Sequence, residues 1–352
     1  MTDDDDALID VHTHDALIDV HTHVVPEDFP PYRGSVAGAP WPSMAPAEAC
    51  HRHVMVSGKV YRTVSHHCWS CRLRLDDMAH RGVARQVLSP MPELLSPWLA
   101  PADGRALCRH LNDTIAAMVA QAPRAFTGLG AVPLQDVSLA IDELDRLLHR
   151  TGLAGVELPS HVNGMPLGDP QLRPFFEAAA DWGAAIFVHP LRPADVHRLV
   201  GPPALEQVLA FPGEIGLAGA SLITSGLLAS LPGLRIALSH GGGTLALLLP
   251  RLRHARGGVP PVRDALAADP YDDARRLWID DLVYDAATLR HLVAVFGADR
   301  VMAGSDYPFS IMDADPAASI DAPGFDAATR RALRGGNARR WLALDAGAGM
   351  GA

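Results

Sequence analysis

Cysteine is scarce. Four residues (Cys50, Cys68, Cys71 and Cys108) in a chain of 352 are too few for a disulfide framework at this length. Also missing is any apolar run of the ~18–20 residues that a membrane-spanning helix requires. Basic residues are outnumbered, with 30 Lys and Arg against 40 Asp and Glu, for a formal net charge of −10. That balance argues against a nucleic-acid partner, whose phosphates call for a basic surface. It leaves room for a small anionic substrate, because a few arginines can make a locally positive pocket. The start, Met1-Thr2-Asp3-Asp4-Asp5-Asp6, is the opposite of a basic secretory leader, so a cytoplasmic protein is expected. No Gly-rich phosphate fingerprint follows an early strand, which weakens the reading as an open, doubly wound sheet.

What is present is a hydrophobic fraction of 48% against 20% charged, the balance of a globular protein with a large core. The N-terminus holds a tandem repeat: Asp6-Ala7-Leu8-Ile9-Asp10-Val11-His12-Thr13-His14 is followed at once by Asp15-Ala16-Leu17-Ile18-Asp19-Val20-His21-Thr22-His23. A barrel has room for one first strand. The second copy runs on into Val24-Val25-Pro26, so it is taken as that strand, and residues 1–15 as a duplicated, disordered extension. Apolar strand-like runs then recur at Ala84–Ser89, Phe126–Val132, Gly155–Leu158, Ala184–Val188, Leu234–Ser239, Trp278–Tyr284 and Arg300–Gly304. Helical patterns such as Arg105–Gln121, Val137–Arg150, Gln171–Trp182 and Ala287–Phe296 lie between most of them. Eight β units in βα order predict an α/β fold, a (β/α)8 TIM barrel over residues 16–346. Residues 26–50, rich in Pro, Gly and Ala, read as loop. Val54–Val64 reads as a β-hairpin around Ser57-Gly58, so a small insertion over about 26–70 follows strand 1.

In such a barrel the C-terminal strand ends converge on one mouth, and here those ends are polar. Strand 1 ends in His21 and His23, which share a face if the strand continues through them. Strand 5 ends in His189-Pro190, strand 6 in His240-Gly241-Gly242-Gly243 and strand 8 in Asp306-Tyr307-Pro308. Three imidazoles and one carboxylate suit a divalent transition metal, most often zinc. His21, His23, His189 and Asp306 are the expected ligands, one ion per subunit. His240 is read as general base and then general acid, exchanging a proton with water activated at the metal. Strand 4, Leu153–Leu158, offers no lysine to bridge two metals, which favours a mononuclear site.

These residues carry a family resemblance. His21-Thr22-His23, Phe187-Val188-His189-Pro190, Ser239-His240-Gly241-Gly242-Gly243 and Gly304-Ser305-Asp306-Tyr307-Pro308-Phe309 resemble the amidohydrolase superfamily. Gly58-Lys59-Val60-Tyr61-Arg62, His67-Cys68-Trp69 and His161-Val162-Asn163 narrow the likeness to the 2-amino-3-carboxymuconate-6-semialdehyde decarboxylase family of tryptophan and kynurenine catabolism. The likeness runs from about Leu17 to Leu344. It implies a zinc-dependent, non-oxidative decarboxylase with no organic cofactor, acting on that acid or a related unsaturated or aromatic carboxylate. It further implies that Arg62 and Phe309 meet the substrate, that Arg62 holds a carboxylate, and that Arg251 reaches the neighbouring site of a homodimer. A metal-dependent hydrolase or hydratase on the same barrel is the alternative. The chain departs from the pattern at two places. Leu191–Ala210 carries no tryptophan, and Tyr284 stands where a histidine is familiar.

Three other features are weaker. Cys68-Trp69-Ser70-Cys71 is a lone CxxC near several histidines and is a poor signal for a second metal. Glu157, at the end of strand 4, is expected behind the metal ligands or facing the substrate. Phe175, Phe176 and Trp182 sit on an amphipathic helix and read as core.

Overall fold

Eight parallel strands follow one another in chain order and pair neighbour to neighbour. They are β1 (Leu17–Val24), β2 (Val83–Pro90), β3 (Phe126–Gly130), β4 (Gly155–Pro159), β5 (Ala185–His189), β6 (Arg235–Leu238), β7 (Trp278–Asp280) and β8 (Val301–Met302). This computed structural model describes residues 16–344, so the expectation of a disordered stretch over 1–15 lies outside the described residues. The ring closes between β8 and β1. Val20 N donates to Ala303 O (2.9 Å), Asp306 N to His21 O (2.9 Å) and His23 N to Tyr307 O (2.7 Å). The (β/α)8 barrel expected from the alternation is thus the observed architecture. Its outer layer includes α1 (Cys71–Arg81), α2 (Pro101–Gln121), α3 (Val137–Arg146), α4 (Arg173–Asp181), α5 (Phe211–Thr224), α6 (Leu245–Gly258), α7 (Ala286–Phe296) and α8 (Asn337–Leu342). Several helices start where an oxygen side chain can take an orphan N–H: Ser70 accepts from Leu73 N, Asp136 from Leu139 N and Asp285 from Thr288 N. Among the described residues no helix is long and apolar enough to cross a membrane.

The strands are apolar on both faces because both are covered. Outward residues such as Leu88, Val156, Ile186, Ile236 and Val301 pack under the helices. Inward residues Ile18, Val20, Val87, Leu129, Phe187 and Met302 fill the barrel with Trp341 of α8. Strict alternation from Ile18 and Val20 would turn His21 and His23 outward. A register irregularity in β1 between Asp19 and Thr22 shifts the parity by one, so that both histidines face in. Trp341 is fully buried, meets Phe187 edge-on at 6.2 Å and donates its N–H to Arg235 O at 3.2 Å. Trp341→Ala is expected to cost about 3–5 kcal/mol, measurable as a shift in urea midpoint at unchanged slope.

Several element ends shift by a residue or two, and two larger departures bear on the site. The insertion is a three-stranded antiparallel sheet, Ser43–Pro46, His51–Val56 and Lys59–Ser65, so part of the stretch read as loop is an edge strand. The Ser57-Gly58 turn is as expected, with positive φ at both residues (52° and 72°). Val54 and Val64 anchor the sheet in a cluster with Leu94, Leu95 and Phe309, which fixes Arg62 over the barrel mouth. β7 stops at Asp280 rather than running to Tyr284. There the two aspartate side chains bond the backbone of neighbouring loops, Asp280 taking Gly241 N (2.6 Å) and Asp281 taking Gly304 N (2.9 Å).

Candidate active site

The four expected ligands converge. One donor atom from each of His21, His23, His189 and Asp306 lies within 4.8 Å of all the others, and all four residues are buried. Each imidazole is anchored on its far side. Nδ1 of His21 faces Asp280 Oδ2 (2.8 Å), Nδ1 of His23 faces Pro90 O (3.1 Å) and Nδ1 of His189 faces Pro190 O (2.9 Å). Such acceptors demand a proton on Nδ1, which leaves each Nε2 lone pair free to point inward. His21 Nε2 and His23 Nε2 stand 3.1 Å apart, and Asp306 Oδ1 is 3.0 Å from His23 Nε2. His189 Nε2 and Asp306 Oδ1 are buried without an aligned hydrogen-bond partner. Buried polar atoms are rarely left so, and an ion among the four donors would satisfy them. Burial opposes a charge on His21, but the Asp280 hydrogen bond and the Asp306 and Glu157 charges outweigh it and hold its pKa up, at about 9. Asp306 is also disfavoured as an anion by burial, yet the His23 and His21 imidazoles keep it below the usual carboxylate range. This mixture of acidic and basic groups suits a divalent cation, whose binding displaces the proton.

Asp280 is a residue that sequence reasoning missed. It is fully buried and ties β1 to the loop after β6: Oδ2 takes His21 Nδ1 and His240 N (3.0 Å), while Oδ1 takes Gly241 N. Asp19 was missed as well. Inside β1 it accepts from Ser305 Oγ (2.5 Å), Ser305 N (3.0 Å) and His21 N (3.1 Å), tying the first strand to the Asp306 loop. Arg74, fully buried on α1, donates to His23 O and, at 2.7 Å, to His67 O. The available signal was the unusual charge inside apolar runs: Asp19 between Ile18 and Val20, and Asp280-Asp281 after Ile279.

His240 sits beside the cluster with its ring centroid 5.1 Å from that of His189 and 5.3 Å from that of His21. Its Nδ1 pairs with Ser239 Oγ at 3.0 Å, leaving Nε2 for proton exchange. Burial, helped by the His21 charge, pulls its pKa down to about 4. The imidazole is therefore neutral at ordinary pH and able to accept a proton. The backbone at His240 is left-handed (φ 53°), as at Asp306 (φ 64°), strain of the kind functional loops retain. The glycines behind His240 are a steric need. A Cβ on Gly243 would lie 2.0 Å from Pro212 O, and one on Gly241 would lie 2.4 Å from Val283.

His189, His240 and Asp306 open into a cavity of about 680 Å3 walled by apolar side chains, among them Met91, Leu191, Phe211, Leu282 and Phe309. Arg62 lines it too, with its guanidinium 4.3 Å above the Phe309 ring and no ion pair or hydrogen bond to any described residue. Phe309 stacks on His23 at 5.0 Å, so it links the cavity to the metal ligands. Arg251 is not brought there. It stands exposed on α6, away from the cavity of its own chain. Tyr284 caps one side of the mouth and donates its hydroxyl to Ile311 O (2.8 Å).

Glu157 lies behind His23, with Oε2 3.9 Å from Nδ1. Neither of its oxygens has a hydrogen-bond partner; the Ser89 hydroxyl is turned to Thr22 O. Burial pushes this carboxyl up to about 8. The CxxC does not form a centre: all four cysteines are free, and burial raises the Cys68 thiol to about 12. Among the described residues no other cluster of His, Cys, Asp or Glu donors is close enough to share an ion. Lys59, the single lysine of the sequence, is exposed in the insertion and cannot bridge a pair of metals.

Known proteins resemble this chain in sequence and in fold. The amidohydrolase family profile matches residues 18–344. A 2-amino-3-carboxymuconate-6-semialdehyde decarboxylase from Dictyostelium discoideum is 33% identical over 344 residues, covering 96% of this chain and 92% of that protein. A 5-carboxyvanillate decarboxylase from Novosphingobium aromaticivorans, solved with manganese and 4-hydroxy-3-methoxy-5-nitrobenzoic acid, superposes with a TM-score of 0.69 at 26% identity, over 77% of this chain and 80% of that one. The IDCase of Metarhizium anisopliae shares the fold more completely, with a TM-score of 0.79 at 24% identity over 94% and 97% of the two chains.

Proposed function

The chain belongs to the amidohydrolase family, and we propose that within it the protein is a zinc-dependent, non-oxidative decarboxylase of 2-amino-3-carboxymuconate-6-semialdehyde or a closely related unsaturated or aromatic carboxylate. The observation that carries the reading is the convergence of four buried donors beside a neutral His240, at the foot of an apolar cavity that also presents an unpaired Arg62. Decarboxylase chemistry is supported by the Dictyostelium relative, whose alignment spans nearly the whole of both chains.

His21, His23, His189 and Asp306 would hold the ion, which supplies a Lewis acid at the reacting centre and eases deprotonation of water. The remaining work falls to the protein. Arg62 clamps a substrate carboxylate with its planar fork, and Phe309 and Phe211 offer flat walls to a conjugated chain or ring. His240 takes a proton from water and returns one to the carbon that bears the leaving carboxylate. Protonation there interrupts the conjugation, the C–C bond breaks and CO2 departs. Catalysis is then positioning plus proton transfer.

Arg251 is assigned to the partner's cavity in a homodimer. Supporting this, Leu247 lies one turn before Arg251 on α6 and is 73% exposed, and Leu217 on the adjacent α5 is 64% exposed. An apolar face beside an unpaired arginine suits burial against a second copy.

The test is a product assay with zinc-loaded and metal-stripped protein on freshly generated 2-amino-3-carboxymuconate semialdehyde. Metal-dependent CO2 release at the rate of substrate loss is expected. A hydrated or hydrolysed product without CO2 would overturn the reaction in favour of a hydratase or hydrolase. Arg62→Met is expected to raise KM about tenfold to a hundredfold, the worth of a charge-assisted hydrogen bond. Steady-state kinetics at unchanged metal content would check it.

A further inference from the structure

A second arginine on the cavity wall has no part in the reaction described above. Arg192 follows β5 and takes a left-handed φ of 45°, a conformation that a residue with a long side chain keeps only where its surroundings hold it. Its guanidinium carbon lies over Trp98, 3.2 Å from the ring centroid. Its Nη2 donates to Glu93 Oε1 at 2.5 Å. The Glu93 side chain is 5% exposed, whereas that of Arg192 is 48% exposed, and both residues line the cavity. A buried carboxylate and an indole therefore fix the fork on two sides. A guanidinium carries five N–H donors, and the bond to Glu93 uses one of them. A brace this rigid, with donors left over and facing a ligand-sized cavity, is the arrangement that preorganises a binding group.

Arg62 belongs to the same stretch of wall. Tyr61 and Glu93 line this cavity together with both arginines. One is ion-paired and fixed, the other unpaired and stacked on Phe309. The lining they share with His189 and His240 includes the aromatic rings of Phe211 and Phe309.

We propose that Arg192 is a substrate-binding residue that takes a second carboxylate, so that each subunit selects flat dicarboxylates: Arg62 holds one carboxylate and Arg192 the other. Glu93 and Trp98 are its positioning residues. The inference rests on this cavity being the substrate site, as proposed above, and not on which dicarboxylate is consumed. Arg192 acts within its own subunit, so unlike Arg251 its contribution does not depend on a partner.

Isophthalate and benzoate share a flat ring and one carboxylate and differ in the second. Calorimetry on the metal-loaded full-length protein is expected to show isophthalate binding about tenfold tighter or more. Arg192→Met changes a half-exposed side chain but leaves the buried Glu93 without its partner, so it is made in a Glu93→Gln background with Glu93→Gln alone as the reference. It is expected to weaken isophthalate about tenfold to a hundredfold while benzoate binds as before. Arg192→Lys keeps the charge without the stacked fork, and should fall between the two. The proposal is overturned if the wild type does not prefer isophthalate, if Arg192→Met weakens both acids equally (a structural brace), or if it changes neither. Binding is read without turnover. A protein that shows this selectivity and releases no CO2 would overturn the proposed reaction and leave Arg192 as the second anchor.

Discussion

His240→Ala is expected to keep its metal and lose turnover by about 10²–10⁴-fold, the usual worth of a positioned acid–base group. Retained metal follows from the geometry. The four donors come from β1, β5 and the loop after β8, and His240 approaches them by ring contact without supplying one of the converging atoms. Lost turnover follows from its place in the cavity wall with Nδ1 committed to Ser239, which leaves one ring nitrogen for the proton. The pH profile adds a second readout. Burial pulls the His240 pKa to about 4 from an ordinary value of 6.5. A base must be neutral, so activity should persist below pH 6.5 and fall only as pH drops toward about 4. Metal content measured at each pH separates this limb from loss of the ion. Full activity in His240→Ala, with metal bound, would sink the assignment of the base.

The barrel was legible because its signal is repeated. Each unit has a short apolar run, then a helical pattern, and the runs end in residues that an apolar strand does not otherwise need. His21, His23, His189, His240 and Asp306 stand at those ends, and no distance was required to see it. What was not legible depended on backbone detail. Alternation alone places His21 and His23 opposite to Ile18 and Val20, and the irregularity after Asp19 that brings them inward leaves no mark in composition. The run Trp278–Tyr284 is apolar enough to read as strand to its end. Yet the chain leaves the sheet at Asp280, because carboxylates satisfy neighbouring N–H groups that no ladder partner reaches. Ser43–Pro46 was hidden by its own proline, a residue confined to edges in sheets, and an edge is where it lies. Arg192 and Glu93 are ninety-nine residues apart, and nothing local in either segment announces the pair.

Asp280→Asn is expected to lower metal affinity about tenfold to a hundredfold, as the loss of an outer partner of a ligating histidine does, and to lower turnover with it. The carboxylate receives protons on both oxygens: Oδ2 from His21 Nδ1 at 2.8 Å and His240 N at 3.0 Å, Oδ1 from Gly241 N at 2.6 Å and Leu282 N at 3.3 Å. An amide has one oxygen. In either orientation its NH2 meets donors, His21 Nδ1 and His240 N–H on one side or Gly241 N–H and Leu282 N–H on the other, and the three backbone groups cannot turn. With the amide oxygen on the Gly241 and Leu282 side, which carries two fixed donors, the NH2 faces His21 Nδ1, and His21 must then relocate its proton from Nδ1 to Nε2. That places a proton where the ion has to sit. The loss should show as a weaker metal titration at an unchanged circular dichroism spectrum, and excess metal should restore part of the activity. Asp281→Asn, one residue on, is the control. Burial pushes that carboxyl well above the usual range, whereas at Asp280 burial is outweighed by the His21 hydrogen bond, which holds the carboxyl low, so the amide removes less charge at Asp281. Equal damage from the two substitutions would mean that a buried amide as such is the problem. Damage from Asp280→Asn alone assigns it to the tautomer of His21.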